Sequence, residues 1–277
     1  ATAGNHNKII NNLISDINSQ GTIYGIFMSA ANYNKVFHNT ISLDQTSATT
    51  NTTYGIYCTG TAGDSIKNNN ISVTRAGTGT NYGIYLTSAT GVSCDYNNIY
   101  VNAASSTNYV GYYSVGYLTL TSWKTANSNA WDQHSVSANP SFANPSLDDY
   151  TPTSPLLNNA GTPENVTTDL IGTARSATTP DIGCYEFNVA AVDMGATALV
   201  APTSTGCYSN TENVVVTIKN YGATSIDLTT SPVTVTCNVS GAATATLTAT
   251  PTGTIAPGAT LNVTLSPTLN MTGNGTY

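Results

Sequence analysis

Two short motifs alternate along residues 9–112, and their spacing restricts this chain more than any other feature. An Asn two positions before an Ile recurs as Asn12-Leu13-Ile14, Asn39-Thr40-Ile41, Asn69-Asn70-Ile71 and Asn97-Asn98-Ile99. Five residues before each Ile stands another apolar residue: Ile9, Val36, Ile66 and Cys94. Between these come Tyr24-Gly25-Ile26, Tyr54-Gly55-Ile56, Tyr82-Gly83-Ile84 and, more loosely, Val110-Gly111-Tyr112. From the Ile of the second motif to the Ile of the next first motif is always 15 residues, whereas the return takes 12, 15 or 13. One part of the repeat is fixed and the other tolerates insertion.

A period in the twenties to thirties, made of short β-type runs between turn residues, marks a solenoid. Each repeat holds three brief strands, such as Tyr54 to Cys58, Ser65 to Lys67 and Asn70 to Val73, all too short for helices and rich in β-branched and aromatic residues. Equivalent residues of successive coils would lie about 4.8 Å apart. Alternation then stacks Ile26, Ile56 and Ile84 inside, with Met28, Cys58 and Leu86 two residues on and Leu43, Val73 and Val101 on the next strand. Asn12, Asn39, Asn69 and Asn97 fall where the chain bends between strands. Asn tolerates left-handed backbone, and its amide can bond both its own bend and the Asn of the next coil, satisfying groups that a corner would leave open.

With this Asn column the coils resemble a right-handed parallel β-helix of the pectate-lyase-like type; the handedness is what the resemblance implies. The order of small motifs that follows, from Asp132-Gln133-His134-Ser135 to Asp181-Ile182-Gly183-Cys184-Tyr185-Glu186, resembles the closing segment of secreted bacterial β-helix proteins. Cys184 departs from the small residue usual there. The resemblance spans residues 1–187 and implies that about 114–187 is an irregular cap over the last coils and the open apolar end, which a solenoid must protect. Leu118 to Ala126 reads as a short helix started near Thr121.

From residue 188 a second domain is expected, over 188–277. Val214 to Gly222, Val233 to Cys237, Ala245 to Thr248 and Leu261 to Leu265 alternate apolar and polar residues between Pro and Gly turns, as in an antiparallel sandwich. The Val-x-Val-x-Ile-Lys-Asn-Tyr-Gly run resembles the immunoglobulin-like adhesion modules of bacterial surface proteins, with the final strands missing. The expected fold is thus all-β, a parallel β-helix followed by an immunoglobulin-like sandwich. Residue 1 falls inside a repeat, Gly4 to Asn12, and Tyr277 stops without a closing element, so the chain reads as a piece of a longer one.

Only 8% of residues are charged, 7 basic against 14 acidic, which argues against nucleic-acid binding, since that needs a basic footprint. An apolar content of 40% argues against disorder. No signal peptide or membrane span is visible, and Thr/Asn/Ser-rich repetitive β-structure points outside the cell, at its surface. Cys58 and Cys94 fall in inward columns; Cys207 and Cys237 are candidates for a pair. Asp148, Asp149, Asp169, Asp181 and Glu186 lack the regular spacing of a calcium loop and read as turn acceptors, with Arg175 as ion-pair partner. No metal ligand set and no cofactor is assigned.

Phe27, Tyr57, Tyr85 and Tyr113 each follow an inward residue and are expected outward in one row, either as a platform for stacking sugar rings or as a self-stacking ladder. The loops Ser15 to Thr22, Asp44 to Thr53, Thr74 to Asn81 and Asn102 to Asn108 read as solvated connectors. A lyase on this fold needs a base beside cations, and a hydrolase needs paired carboxylates. The coil cations Lys8, Lys35, Lys67 and Arg75 and acids Asp16, Asp44, Asp64 and Asp95 show neither: no column gathers two acids or an acid with a His, Asp64 and Lys67 read as a local ion pair, and His6 and His38 as corner residues. No catalytic residue is assigned. The expectation is a structural and adhesive segment of an exported surface protein, contacting extracellular glycans or surfaces and, by both resemblances, a type IX-exported adhesin that meets the secretion machinery. The competing reading is a polysaccharide lyase or hydrolase whose site lies in coils upstream of residue 1.

Overall fold

A computed structural model describes residues 6–47, 50–105, 107–273 and 276; residues 1–5, among them Gly4 of the expected first repeat, and residues 48, 49, 106, 274, 275 and 277 lie outside them. The chain divides into two compact units, residues 1–188 and 189–277.

The first unit is a β-solenoid of four turns. The first comprises β1 (Lys8–Ile10), β2 (Leu13–Ile14) and β3 (Ile23–Ser29); the second β4 (Lys35–Phe37), β5 (Thr40–Leu43) and β6 (Thr53–Thr59). The third comprises β7 (Ser65–Lys67), β8 (Asn70–Val73) and β9 (Asn81–Leu86); the fourth β10 (Ser93–Asp95), β11 (Asn98–Val101) and β12 (Asn108–Tyr113). They form three parallel sheets, β1-β4-β7-β10, β2-β5-β8-β11 and β3-β6-β9-β12. Register follows the repeat: Ile9, Val36, Ile66 and Cys94 stack, as do Ile14, Ile41, Ile71 and Ile99, and Ile26, Ile56 and Ile84. Ile56, Ile66, Ile71, Ile84 and Ile99 are fully buried in one core.

The Tyr-Gly-Ile motif has a steric cause. A Cβ on Gly55 would lie 2.5 Å from both the Gly83 carbonyl oxygen and Ile71 Cγ2, and Gly25 and Gly83 are equally tight. The Ile of the facing strand fills that space, so only glycine fits. In the fourth turn Gly111, not Tyr112, pairs with Ile84, so the loose Val110-Gly111-Tyr112 copy is displaced by one residue from its expected alignment. There Trp123 takes the place of the missing isoleucine side chain: a Cβ on Gly111 would stand 2.3 Å from its ring.

The segment expected as a single cap divides in two. β13 (Val115–Tyr117) turns back antiparallel on β12, and α1 (Leu120–Trp123) follows. Its N-cap is Thr119, which exchanges hydrogen bonds with Ser122, so the helix starts earlier and is shorter than the sequence suggests. Trp123 and Trp131, both fully buried, close the end of the core. Trp131 Nε1 donates to the Val92 carbonyl (3.0 Å) and Trp123 Nε1 to Asp132 Oδ2 (2.7 Å).

From Val136 the chain returns along the flank instead of covering the end. It bridges Asn98 in the fourth turn; Thr162 and Gly183 bond Asn68 in the third, and Cys184 bonds Thr40 in the second. In the first turn Tyr150 donates to Asp16 Oδ1 (2.8 Å) and Arg175 to Asn11 Oδ1 (3.0 Å). Within this strap β14 (Phe142–Asn144) pairs with β15 (Asp149–Pro152). The strap buries Tyr150, Leu157, Ile182 and Cys184, and beneath it the outward residues Thr40, Ser42, Asn70, Ser72 and Asn98 of the second sheet are buried too.

The second unit holds β16 (Met194–Ala201), β17 (Val215–Asn220), β18 (Ile226–Asp227), β19 (Val235–Val239), β20 (Ala245–Ala249), β21 (Thr254–Ile255) and β22 (Thr260–Thr264). Its described strands form small antiparallel sheets, β16-β17-β22, β18-β21 and β19-β20, over a core including Val214, Ile218, Leu247 and Val263. Cys207 is exposed and Cys237 half-buried, and both are free thiols, as are the other three cysteines.

Candidate functional site

The Asn column forms a continuous ladder. The side chains of Asn12, Asn39 and Asn69 donate to the Oδ1 of Asn39, Asn69 and Asn97 at 2.8, 2.9 and 3.0 Å, and each backbone N–H reaches the same oxygen. The last rung, Asn97, donates to Asp132 Oδ1 (3.0 Å), a carboxylate that only accepts and so ends the chain of donors. Burial raises the Asp132 pKa. The left-handed backbone lies one residue earlier than expected: Asn11, His38, Asn68 and Tyr96 have φ of 57°, 54°, 57° and 56°. A second ladder, unseen in the sequence, runs from Asn7 through Asn34 to Asp64. Asp64 Oδ1 takes both bonds from Asn34, and Lys67 pairs with Glu164 of the strap (2.7 Å) instead of with Asp64.

Two coil acids meet chain that follows the coils. Asp95 pairs with His134, whose Nδ1 lies 2.8 Å from its Oδ2, with the imidazole stacked on Tyr96. Asp16 and Asp44 line one open depression of about 390 Å³ beside Tyr150, whose phenol burial and the Asp16 bond keep protonated. Both arrangements pin later chain to the coils. Arg75 is buried in place of a solvated loop position, donating to Thr53 Oγ1 and to the carbonyls of Ser19 and Gly21. In the strap Asp149, Asp169, Asp181 and Glu186 accept backbone N–H groups, and Arg175 pairs with Glu186 (3.2 Å). Asp148 is a left-handed turn residue. Among the described residues no group of three or more His, Cys, Asp or Glu side chains converges on a metal position.

The outer face of the third sheet carries the exposed feature. Phe27, Tyr57, Tyr85 and Tyr112 form one column, with centroids 5.5, 4.9 and 4.2 Å apart and planes within 18°. Tyr113, expected in this row, packs edge-on against Trp131 instead, and the one-residue displacement of the fourth turn is the reason. A second column, missed in the sequence, comprises Tyr24, Tyr54, Tyr82 and Tyr109, spaced 4.9, 5.2 and 5.1 Å. Strict alternation would put Tyr24 inside with Ile26 and Met28; the irregularity at the glycine shifts the phase, so residues 24 and 27 share the outer face.

Near-parallel planes at these separations are offset stacks, so most ring faces lie against neighbours of the same column. Planes of the two columns meet at 75–88° where Tyr54, Tyr57, Tyr82 and Tyr85 touch. The panel thus offers ring edges and phenol hydroxyls rather than open ring faces. Burial, followed by the neighbouring phenols, pushes Tyr54 up to about 12, and Tyr85 rises likewise, so these two phenols stay neutral at physiological pH. Phe27 and Tyr24 remain 54% and 40% exposed.

Compared with known proteins, residues 1–135 match the model of one family, described as periplasmic copper-binding protein (NosD). No curated protein and no solved structure matches the chain. The match ends where the end closure gives way to the strap, and it relates the solenoid to a family located outside the cytoplasm. Among the described residues no helix is long and apolar enough to cross a membrane.

Proposed function

We propose that this chain is a non-catalytic, adhesive segment of an exported protein, with the aromatic panel as its contact surface and the second unit as an immunoglobulin-like module. The observation that carries this reading is an inversion of ordinary burial. The strap covers Thr40, Ser42, Asn70, Ser72 and Asn98, while eight aromatic side chains on the third sheet are left uncovered or half-covered. A contiguous aromatic surface left open on one face supports a contact site. The panel is flat and uncharged, and its hydroxyls recur about every 4.8 Å. Such a surface suits a repetitive neutral partner, an ordered extracellular polysaccharide, better than a single sugar ring. The extracytoplasmic family match supports export, and the type IX route is what the two resemblances imply.

Retention on immobilised polysaccharides tests the reading. Tyr57→Ala with Tyr85→Ala should abolish retention while tryptophan fluorescence reports an intact fold; unchanged retention would reject the panel as the contact surface. Release of unsaturated ends from uronic-acid polymers would overturn the non-catalytic assignment.

A further inference from the structure

The matched family is described by a ligand, copper, so residues 1–135 can be tested against that ion donor by donor. Copper(I) takes thiolates and thioethers, and copper(II) takes imidazoles in tetragonal sites. We infer that these coils share the family's backbone template and hold no copper, their sulfur atoms serving only to pack the core.

The imidazoles do not converge. His6 is exposed, with Nδ1 3.1 Å from the Tyr33 carbonyl oxygen. His38 is fully buried and its Nε2 accepts from Asn68 Nδ2 (2.9 Å), which can only donate, so the neutral ring carries its proton on the buried Nδ1 and neither nitrogen offers a free lone pair. His134 sits on Tyr96, which occupies the same corner column as His38 two turns further on, about 10 Å along the axis. Metal–nitrogen bonds of about 2 Å cannot bridge that separation.

The sulfurs lie closer together but in the dry core. Met28 and Cys58 are neighbours in a column that continues as Leu86, and Cys94 stacks on Ile66; all lie in one core with Ile56 and Ile84. Both thiols are 1% exposed. Burial pushes their ionisation up, with Asp64 adding to the effect on Cys58 and Asp132 on Cys94, so the thiolate that copper needs is disfavoured. Asp64, the nearest carboxylate to Cys58 along the chain, accepts through Oδ1 from both the backbone and the side chain of Asn34; its Oδ2 is buried without a hydrogen-bond partner, but among the described residues Asp64 joins no group of three His, Cys, Asp or Glu side chains that could hold a metal.

The test uses the full chain with Cys207→Ser and Cys237→Ser, which removes the more accessible thiols of the second unit. Copper(I) is offered anaerobically as its bicinchoninate complex and copper(II) by equilibrium dialysis, with bound metal and melting temperature both measured. The expected result is retention below a full equivalent with no rise in melting temperature. Thiol titration should show Cys58, Cys94 and Cys184 unreactive until the protein is unfolded. A full equivalent of either ion, held with a raised melting temperature, would overturn the inference. So would reaction of Cys58 or Cys94 in the native protein.

Discussion

His38 lies beneath the strap with no exposed surface, and burial, then the charge of Arg175, lowers its pKa from 6.5 to about 3. The unfolded chain takes up a proton near pH 6.5 that the folded chain refuses. Stability from this group is therefore complete above pH 6.5 and falls with pH until about pH 3. The slope is about 1.4 kcal/mol per pH unit, so about 2 kcal/mol is lost by pH 5. Asp181, raised to about 6 mainly by burial, works in the opposite sense over roughly pH 4–6. The two effects separate only by difference. His38→Asn is the suitable variant, because Asn already occupies the same left-handed corner at residues 11 and 68. Urea unfolding followed by tryptophan fluorescence reads the first unit alone, since Trp123 and Trp131 are the chain's two tryptophans and both lie in it. The wild type should lose about 2 kcal/mol more than the variant between pH 7 and pH 5. A stability difference that stays constant over that range would refute a neutral, buried His38 held by the strap.

Other perturbations probe the remaining contacts. Asn69→Ala removes the acceptor for Asn39 and the donor to Asn97 and to the Val36 carbonyl; leaving these buried groups unpaired should cost about 3 kcal/mol or more in urea unfolding. Gly55→Ala places a methyl 2.5 Å from backbone and from Ile71, and should leave little soluble, cooperatively melting protein. Trp131→Ala opens the core at the closed end and should cost about 3–5 kcal/mol, with dye binding to newly exposed apolar surface. Arg75→Met removes the donors to Thr53, Ser19 and Gly21; amide exchange at the Ser19 to Thr22 loop should accelerate while the Ile columns stay protected.

The sequence alone determined the coil. A constant spacing between Ile26 and Ile41, between Ile56 and Ile71 and between Ile84 and Ile99 leaves one register in which like residues stack, because a slip by a single residue would turn each apolar set to water. The Asn ladder was legible for the same reason. Tertiary structure decided whatever depends on chain distant in sequence. Strap residues cover the hydroxyl and amide face of the second sheet and leave the aromatic face open, and no periodicity encodes that choice. Local phase was also out of reach: the glycine irregularity carries Tyr24, Tyr54 and Tyr82 outward, and Trp123, filling the space above Gly111, sets the fourth turn so that Tyr112 rather than Tyr113 completes the column. Alternation is a rule about neighbours along a strand, whereas these positions are fixed by what packs against the strand from elsewhere.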